Sequence, residues 1–532
     1  MGDTLLVIAI VSCLVIEIIG RVKDGDYHLK STEIDLPVLL FILLTIVSLV
    51  RSLNFYGSLL EAVKVVSYVI LFFMVLQHRN REGLARNILH AVLFTGLFVV
   101  LYGIYEHVTV VKVLWYPRGM VYSTFPNPNH FGGYVALTLV LAGARLLFDK
   151  PAGNERKFLI VLTALCFIGL YSSNSKGAIF SFMAALGVLA AFKGRKLLII
   201  YSLVVLFFIG AFLFALTPLG KKYAPPEFMS DSHTYERLPL WNETLSYIGD
   251  YPLFGTGIAT FKDYYPQYKS MVGLRSAEFA HNEFLNIWAE MGVFTLFIYV
   301  GLIYVFFRRC YGYIKKGDCA LGLSKGTLIG IMAAVTAIIA HSTVEFNLHT
   351  PAIAVVLVLL GAIVFLNDSS QQVKQIVPLS KIKKYSIYVA LILGFITTVV
   401  ILIVPLKGEY HFRKANDLNK HKEYLDAIVQ YEKATRFNPL ATAYHERLGD
   451  AYLIEGRLLR DGNFIYGAHQ EYKKCVMMYP RNVFYRLKLA RFYVQFGKLE
   501  QALLHYRAVL FMAPNVKSFK IEYDELIRKT RQ

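Results

Sequence analysis

The sequence consists mainly of apolar segments long enough to cross a membrane, and this pattern limits the possible folds more than any other feature. Hydrophobic residues make up 56% of the 532 positions, which is more apolar surface than one soluble core can bury. The chain is therefore predicted to be all-α and polytopic, with about twelve transmembrane helices. We place these helices at residues 4–20, 36–51, 59–77, 86–106, 129–148, 157–172, 177–192, 197–217, 284–307, 326–344, 352–366 and 385–405. The pair at 157–172 and 177–192 could instead be partly re-entrant.

The distribution of lysine and arginine over the connecting segments predicts which side of the membrane each segment faces. Positively charged connections stay in the cytoplasm, and one alternate set is rich in these residues. The basic residues of this set are Arg21, Lys23, Arg79, Arg81, Arg86, Lys150, Arg156, Lys157, Lys193, Arg195, Lys196, Arg308, Arg309, Lys315, Lys316, Lys374, Lys381, Lys383 and Lys384. The other set, which we predict to face outside, comprises residues 52–58, 107–128, 173–176, 218–283 and 345–351. With about twelve spans, both termini lie outside as well.

The net charge of +19 follows largely from this topology, so we predict no nucleic-acid partner. The long outside loop at 218–283 holds about as many acidic as basic residues, so an anion site there requires individually placed cations. We also predict no metal, no cofactor and no cleavable signal peptide. None of the cysteine spacings indicates a disulfide framework. The five cysteines are Cys13, Cys166, Cys310, Cys319 and Cys475.

Beyond the last predicted span, the composition changes to a charged helical pattern that contains an internal repeat. Residues 468–480 align with residues 502–514 at a shift of 34, and an earlier copy at 427–439 precedes the middle one by 41. A 34-residue period with alanine, tyrosine and terminal proline at matching places is typical of tetratricopeptide repeats, which stack helix pairs into a solenoid. We therefore predict a membrane domain at 1–405 and an outside tetratricopeptide-like domain at 410–532. The second domain either caps the membrane domain or binds a protein partner or a glycan.

Two short polar segments in the predicted outside connections carry residues suited to binding. Asn127 and Asn129 lie among prolines just before a span, where a turn followed by a helix cap is the simplest interpretation. Lys176 lies in a tight turn between two spans. A lysine at such a place often extends towards the membrane interface.

The long outside loop carries the other candidates. Arg237, Trp241 and Leu245 are spaced so that one helical face presents a guanidinium, an indole and an aliphatic group. A salt bridge at the membrane interface is the simpler explanation for Arg237. The loop ends at His281, just before the next span. A hydrogen-bonded histidine at the membrane boundary is the simpler explanation there.

Four motifs resemble, in their order and spacing, those of the O-antigen ligase and polymerase family. They lie at residues 125–129, 174–177, 237–257 and 280–292. The likeness covers roughly residues 60–370.

The resemblance implies a multi-spanning glycosyltransferase of the bacterial inner membrane that takes its glycan from undecaprenyl diphosphate. Such enzymes attach or polymerise the glycan on the periplasmic side, invert the anomeric centre and need no metal. By position, Arg237 corresponds to the arginine that would bind the diphosphate, and His281 to the histidine near the acceptor. Lys176 stands where the family more usually has arginine, which keeps the charge but not the bidentate geometry. The acceptor stays open between the lipid A core, a growing polysaccharide and a protein.

Transfer from a polyprenyl diphosphate requires neutralisation of the departing diphosphate and a base for the incoming hydroxyl group. We predict that Lys176 and Arg237 supply the positive charge. His281 acts as the base or orients the acceptor hydroxyl. Glu283 either positions His281 or serves as an acidic residue at a helix N-terminus. The predicted substrate-binding set is completed by Asn127 and Asn129.

Two other classes of function fit parts of the sequence. A protein with about twelve spans can be a solute transporter, although ionisable residues within the spans are sparse and mostly lie near span ends. These residues are Glu17, Glu61, Lys64, His90 and Glu345. A non-catalytic scaffold that recruits partners through residues 410–532 is the other alternative.

Overall fold

The computed structural model describes residues 2–24, 28–30, 32–78, 83–111, 120–216, 232–270, 277–316, 323–366, 373–375 and 381–531. Some of the predictions concern residues outside these ranges. They are the loop segments 217–231 and 271–276, the basic residues Arg79 and Arg81, and Cys319.

The described chain is almost entirely helical, as the all-α prediction requires. In chain order the helices are α1 (Gly2–Asp24), α2 (Asp35–Arg51), α3 (Phe55–Gln77), α4 (Leu84–Glu106), α5 (Pro128–Ala144), α6 (Gly153–Ser172), α7 (Lys176–Lys193), α8 (Arg195–Leu216), α9 (Ser232–Asp250), α10 (Phe261–Tyr264), α11 (Glu283–Lys316), α12 (Lys325–Ser342), α13 (Pro351–Phe365), α14 (Lys381–Lys420), α15 (Tyr424–Phe437), α16 (Thr442–Leu458), α17 (Gly462–Met478), α18 (Val483–Gln495), α19 (Leu499–Met512) and α20 (Lys517–Arg531). The exception is a short antiparallel pair of strands, β1 (His28–Lys30) and β2 (Val373–Gln375).

Seven of the described helices are long and apolar enough to cross a membrane, judged by length and composition. They are α1, α3, α4, α5, α7, α11 and α12. Each of the predicted spans overlaps a helix, but α2 has 17 residues and α13 has 15. The structure therefore supports a helical, multi-pass membrane protein, and the count of about twelve spans stays a prediction.

Connections that the charge pattern assigns to the cytoplasm contact one another. The strands β1 and β2 join the segment after α1 to the segment after α13. Arg308 and Arg309, near the end of α11, pair with Glu33 before α2 at 2.8 and 3.3 Å. Asp149, after α5, accepts a hydrogen bond from the Gly326 N–H at the start of α12, at 2.8 Å. These connections therefore lie at the same end of the helix bundle, as an alternating topology requires.

The helix α5 lies in the middle of the bundle, and nearly all its side chains are buried. Two glycines in its first turns permit this packing. A Cβ atom at Gly132 would lie 2.7 Å from the Cβ of Ala178 in α7, and one at Gly133 would lie 2.6 Å from Nδ1 of His341 in α12. The close approach brings the start of α5, which carries Asn129, next to the start of α7 and the end of α12.

The helix α11 is broken at Gly292, where φ is 82°. A segment of the long loop, from Pro252 to Gly257, packs into this break. The Gly257 N–H donates to the carbonyl of Glu290 at 2.8 Å, and the Val293 N–H donates to the carbonyl of Pro252 at 3.1 Å. The loop thus satisfies backbone groups that the break leaves without helical partners. This contact fixes the loop against the first turns of α11.

The C-terminal region is a series of helices in which each one packs on the next. The helix α14 runs without interruption through Pro405 to Lys420, so the predicted boundary between the two domains falls inside a helix. The three aligned copies bury the same two positions. Their alanines and tyrosines are all nearly inaccessible, namely Ala427, Ala468 and Ala502 with Tyr431, Tyr472 and Tyr506. A stack of helix pairs requires this recurrence of small and aromatic residues.

Candidate active site

A buried carboxylate joins three of the polar side chains that the sequence singled out. Glu345 follows the end of α12, and its side chain is inaccessible to solvent. One of its oxygens, Oε1, accepts hydrogen bonds from Nη2 of Arg237 and, at 2.6 Å, from Nδ2 of Asn129. The other oxygen, Oε2, lies 3.2 Å from Nδ1 of His281. We call these four residues the Glu345 cluster.

Local structure holds the members of the cluster in place. Arg237 belongs to α9, which is fixed to the end of the loop because the Trp241 indole donates to the carbonyl of Ala280 at 3.0 Å. His281 follows directly, and its φ of 48° places it in the left-handed region. Asn282 then caps α11, since its side-chain oxygen accepts from the Phe284 N–H at 3.0 Å. The tryptophan four residues after Arg237 therefore connects the arginine to the histidine.

The cluster keeps Glu345 ionised. Burial alone would raise the pKa of Glu345, but the neighbouring His281 and Arg237 outweigh that effect and lower it to about 2. Because Nδ1 of His281 faces a carboxylate, the neutral imidazole carries its proton on Nδ1. The other ring nitrogen, Nε2, is then a proton acceptor. The His281 side chain is 32% exposed, so the ring is open to a ligand.

Asn127 and Lys176 contribute differently. The Asn127 side chain caps α5 by accepting from the Asn129 N–H at 2.8 Å, as the simpler interpretation expects. Lys176 begins α7 and is exposed. The next residue, Gly177, lies against the final turn of α12, close to Val344. Lys176 therefore starts its helix at the same end of the bundle as the Glu345 cluster.

Glu283 does not contact His281, although one prediction gave it the role of positioning that histidine. Its carboxylate accepts from the Leu348 N–H at 3.1 Å and lies 3.7 Å from Nε2 of His349. The residue that faces His281 is Glu345. Glu283, the acidic residue nearest to His281 in the sequence, is thus part of a second buried group.

This second group centres on His349, which also follows α12. Its Nδ1 lies 2.9 Å from Glu61, and Glu61 pairs with Lys64 at 2.8 Å. Burial by itself lowers the pKa of His349, but the carboxylates of Glu61, Glu283 and Glu290 outweigh burial and raise it to about 9. His349 is therefore a cation at neutral pH, and its ion pairs hold the segment after α12 against α3 and α11.

We expect the stability of the protein to fall as pH rises above neutrality because His349 loses its proton. A pKa of about 9 in the folded state exceeds the ordinary value of 6.5. The resulting stabilisation is complete below about pH 6.5 and is lost as pH rises through about 9, on the order of 3 kcal/mol in total. Apparent melting temperatures of the purified protein from pH 6 to pH 10 measure this.

Two variants make that measurement specific. His349→Gln should be less stable at pH 6 and should lose most of the dependence on pH. His421→Gln, which changes an exposed histidine, should behave like the wild type. An unchanged pH profile for His349→Gln would contradict the assignment.

An aromatic wall lies beside the Glu345 cluster. The Phe346 ring stacks on Phe279 with 4.4 Å between the ring centroids, and it meets His281 edge-on at 5.1 Å. It also meets the His130 ring, with 4.9 Å between the ring centroids. These rings limit the access of water to the buried carboxylate, which strengthens its hydrogen bonds.

Sequence reasoning did not identify Glu345 or Phe346 as site residues. In the sequence, Glu345 is one of the few ionisable residues near the end of a predicted span. The signal that could have found it is an acidic residue between two strongly apolar segments, in a connection without lysine or arginine. Among the described residues, no three His, Cys, Asp or Glu side chains converge in a way that could bind a metal ion.

Residues 161–300 match the O-antigen ligase family. No curated protein sequence matches the chain. The matched range contains Lys176, Arg237 and His281 and ends before Glu345. The match supports the family resemblance and an enzyme of the glycosyltransferase type in a multi-pass membrane protein.

Proposed function

We propose that the protein transfers or polymerises a glycan from undecaprenyl diphosphate onto an acceptor at the periplasmic face of the bacterial inner membrane. The acceptor is the lipid A core, a growing polysaccharide or a protein. The observation that carries this proposal is the Glu345 cluster, in which one buried carboxylate holds a guanidinium and an imidazole side by side. These two groups are the ones that transfer from a diphosphate requires.

In the proposed reaction, the acceptor hydroxyl oxygen attacks the anomeric carbon of the glycan from the side opposite the diphosphate. The new carbon–oxygen bond forms as the bond between the anomeric carbon and the phosphate oxygen breaks. The electron pair leaves with undecaprenyl diphosphate, and the hydroxyl proton moves to Nε2 of His281. The anomeric centre is inverted, and no covalent enzyme intermediate or metal is needed. Glu345 stabilises the imidazolium that results.

Arg237 has donors to spare for the leaving group. A guanidinium carries five N–H donors in a planar fork, and the described contact with Glu345 uses Nη2. The remaining donors can bind diphosphate oxygens, and the charge that develops on them strengthens these bonds in the transition state. Lys176 is the second proposed cation. Asn129 belongs to the proposed site for the glycan donor because it donates a hydrogen bond to Glu345. Asn127 supports Asn129 by accepting a hydrogen bond from its backbone N–H.

The proposed topology places the site and the C-terminal region on the same side of the membrane. About twelve spans, with residues 1–405 as the membrane domain, put the 218–283 loop and residues 410–532 in the periplasm. A hydrogen bond between these two regions supports this placement. The side-chain amide of Asn515, which lies just before α20, donates to the carbonyl of Lys269 at 2.7 Å. Residues 410–532 form the proposed tetratricopeptide-like solenoid.

Arg237→Ala tests the proposal. Removing a preorganised donor for the leaving group should lower glycan transfer about 10²- to 10³-fold while the protein stays inserted and folded. The measurement is transfer from purified undecaprenyl-diphosphate-linked glycan by the protein reconstituted in lipid, with release of undecaprenyl diphosphate as the readout. Arg237→Lys should retain part of the activity, because it keeps the charge but not the planar fork.

A matched control is Arg413→Ala, which removes an exposed arginine of α14 and should leave transfer unchanged. Glycan transfer at the wild-type rate by Arg237→Ala would contradict the proposed role of the arginine. The product distinguishes the acceptors, since chain lengthening, transfer to lipid and transfer to protein give different molecules.

A further inference from the structure

The C-terminal helices form a groove that the proposed reaction does not use. Side chains of α16, α17 and α18 line a cavity of about 600 Å³. Aromatic residues, among them Tyr472 and Phe484, share its wall with acidic, basic and amide side chains. The Phe484 side chain is 54% exposed although it lines a concave surface. An aromatic ring held open in a cavity is a frequent anchor for a ligand.

The basic side chains of the groove are already in ion pairs, one of them with groove residues and the other with a residue of α20. Lys488 contacts Glu446 at 2.5 Å and Asp450 at 2.9 Å. Arg491 contacts Glu522 at 2.6 Å. A site for a charged peptide or a terminal carboxylate needs cations that are available to the ligand. Here the ion pairs instead hold polar groups in fixed orientations, which suits a neutral ligand with many hydroxyl groups.

The groove begins next to the loop that belongs to the candidate active site. The Tyr479 hydroxyl donates to Asp263 of α10. The Arg481 guanidinium lies 3.9 Å from the centre of the Tyr264 ring. The next residue, Asn482, lines the groove. A chain bound at the active site and extending away from the membrane helices can therefore reach the groove along this contact.

This loop is also packed against the helix that carries Arg237. The Tyr264 ring stacks on Tyr247 of α9 with 5.9 Å between the ring centroids, and Tyr268 stacks on the same ring at 5.3 Å. Aromatic packing of this kind makes the loop a firm link between the groove and the Glu345 cluster.

We propose that the groove binds sugar units of the donor glycan that are remote from the diphosphate. This inference rests on the proposed function, because it is the donor glycan whose reducing end lies at Arg237. Ring faces such as Phe484 pack against the C–H faces of the sugars, and the fixed polar groups bind their hydroxyls. Binding of remote units holds the long donor in place while the reacting end is positioned.

The experiment measures binding of a defined glycan to the full-length protein in detergent. The probe is the glycan released by mild acid from the polyprenyl-linked pool of the same cells and labelled at its reducing end with a fluorophore. Phe484→Ala should weaken its binding about tenfold, and Phe484→Tyr, which keeps the ring, should bind like the wild type. Phe511→Ala removes a ring of α19 that is 65% exposed and outside the groove, and it should have no effect.

Equal binding by Phe484→Ala and Phe511→Ala would overturn the proposal, as would wild-type protein that binds a panel of charged peptides but not the glycan. Binding of the glycan does not require transfer, so a failure of the proposed groove can be distinguished from a failure of the proposed function. Glycan binding through Phe484 without any release of undecaprenyl diphosphate would overturn the proposed function alone, whereas transfer with unaltered binding by Phe484→Ala would overturn the groove alone.

Discussion

Glu345→Gln should lower glycan transfer by about 10²- to 10⁴-fold, the usual contribution of a general base, while the protein remains folded. Arg237 and Asn129 both donate to one oxygen of Glu345, and His281 faces the other. Glutamine has one oxygen and one amide, so its oxygen should turn towards the two donors. The amide then donates to Nδ1 of His281. This contact moves the imidazole proton to Nε2, and the base is lost.

The measurement is the transfer rate of the reconstituted protein at saturating donor. His281→Ala should reduce the rate to a similar level, and the double variant Glu345→Gln with His281→Ala should be no slower than either single variant, because the two residues act as one unit. If the loss of transfer rate in the double variant equals the product of the two single losses, the shared role of the pair is contradicted.

Another buried histidine–glutamate pair, in the C-terminal region, provides the matched control. His445 and Glu471 lie on α16 and α17, with Nδ1 and the carboxylate 2.5 Å apart. Glu471→Gln makes the same chemical change far along the chain from the cluster. It should leave the rate of transfer unchanged. Transfer at the wild-type rate by Glu345→Gln would show that Glu345 does not set the tautomer of His281.

Local sequence patterns predicted which residues form helices, but not how the site is assembled. Apolar length was sufficient to locate the helices, since burial in lipid leaves a strong compositional signal. The family motifs selected Arg237, His281 and Asn129. The contacts of Glu345 with these three residues span 108, 64 and 216 positions, and no local periodicity encodes contacts of such separation. Nearness in sequence instead favoured Glu283, which faces His349.

The change of composition after Pro405 predicts a change in the surroundings of the chain, but it does not predict where the helix ends. Apolar residues give way to charged ones there, but helix propensity continues on both sides of the change, and α14 runs through it. A proline interrupts a helix only when the lost hydrogen bond and the steric conflict outweigh the surrounding packing. The boundary of a predicted membrane segment therefore need not be the end of a helix.

Gly292→Ala should destabilise the protein by several kcal/mol and remove most transfer activity. The Gly292 backbone has φ of 82° and ψ of 174°, a region that is essentially restricted to glycine and costs about 1 to 3 kcal/mol for other residues. A Cβ atom there would also lie 2.0 Å from the carbonyl oxygen of Leu253. This neighbour is backbone, so relief requires the loop from Pro252 to Gly257 to move.

Displacement of that loop should reach the active site through two further contacts. The carboxylate of Glu290 accepts hydrogen bonds from the N–H groups of Ala259 and Phe261, at 3.0 and 2.8 Å. These bonds anchor the start of α10, which packs against α9, the helix that carries Arg237. A shift at the break in α11 therefore loosens the position of the guanidinium as well as the fold, and a small misplacement of a catalytic group is costly.

The measurement is the yield of monodisperse protein and its apparent melting temperature in detergent, followed by the transfer rate. Gly301→Ala is the matched control, because it makes the same substitution in the same helix where a Cβ atom would have nothing within 4 Å. Its stability should stay within about 1 kcal/mol of the wild type. Gly255→Ala should resemble Gly292→Ala, since its Cβ would lie 2.3 Å from the Glu290 carbonyl oxygen. If Gly292→Ala instead has the same melting temperature as Gly301→Ala, the break in α11 does not fix the loop. The connection from the loop to Arg237 must then depend on the aromatic packing alone.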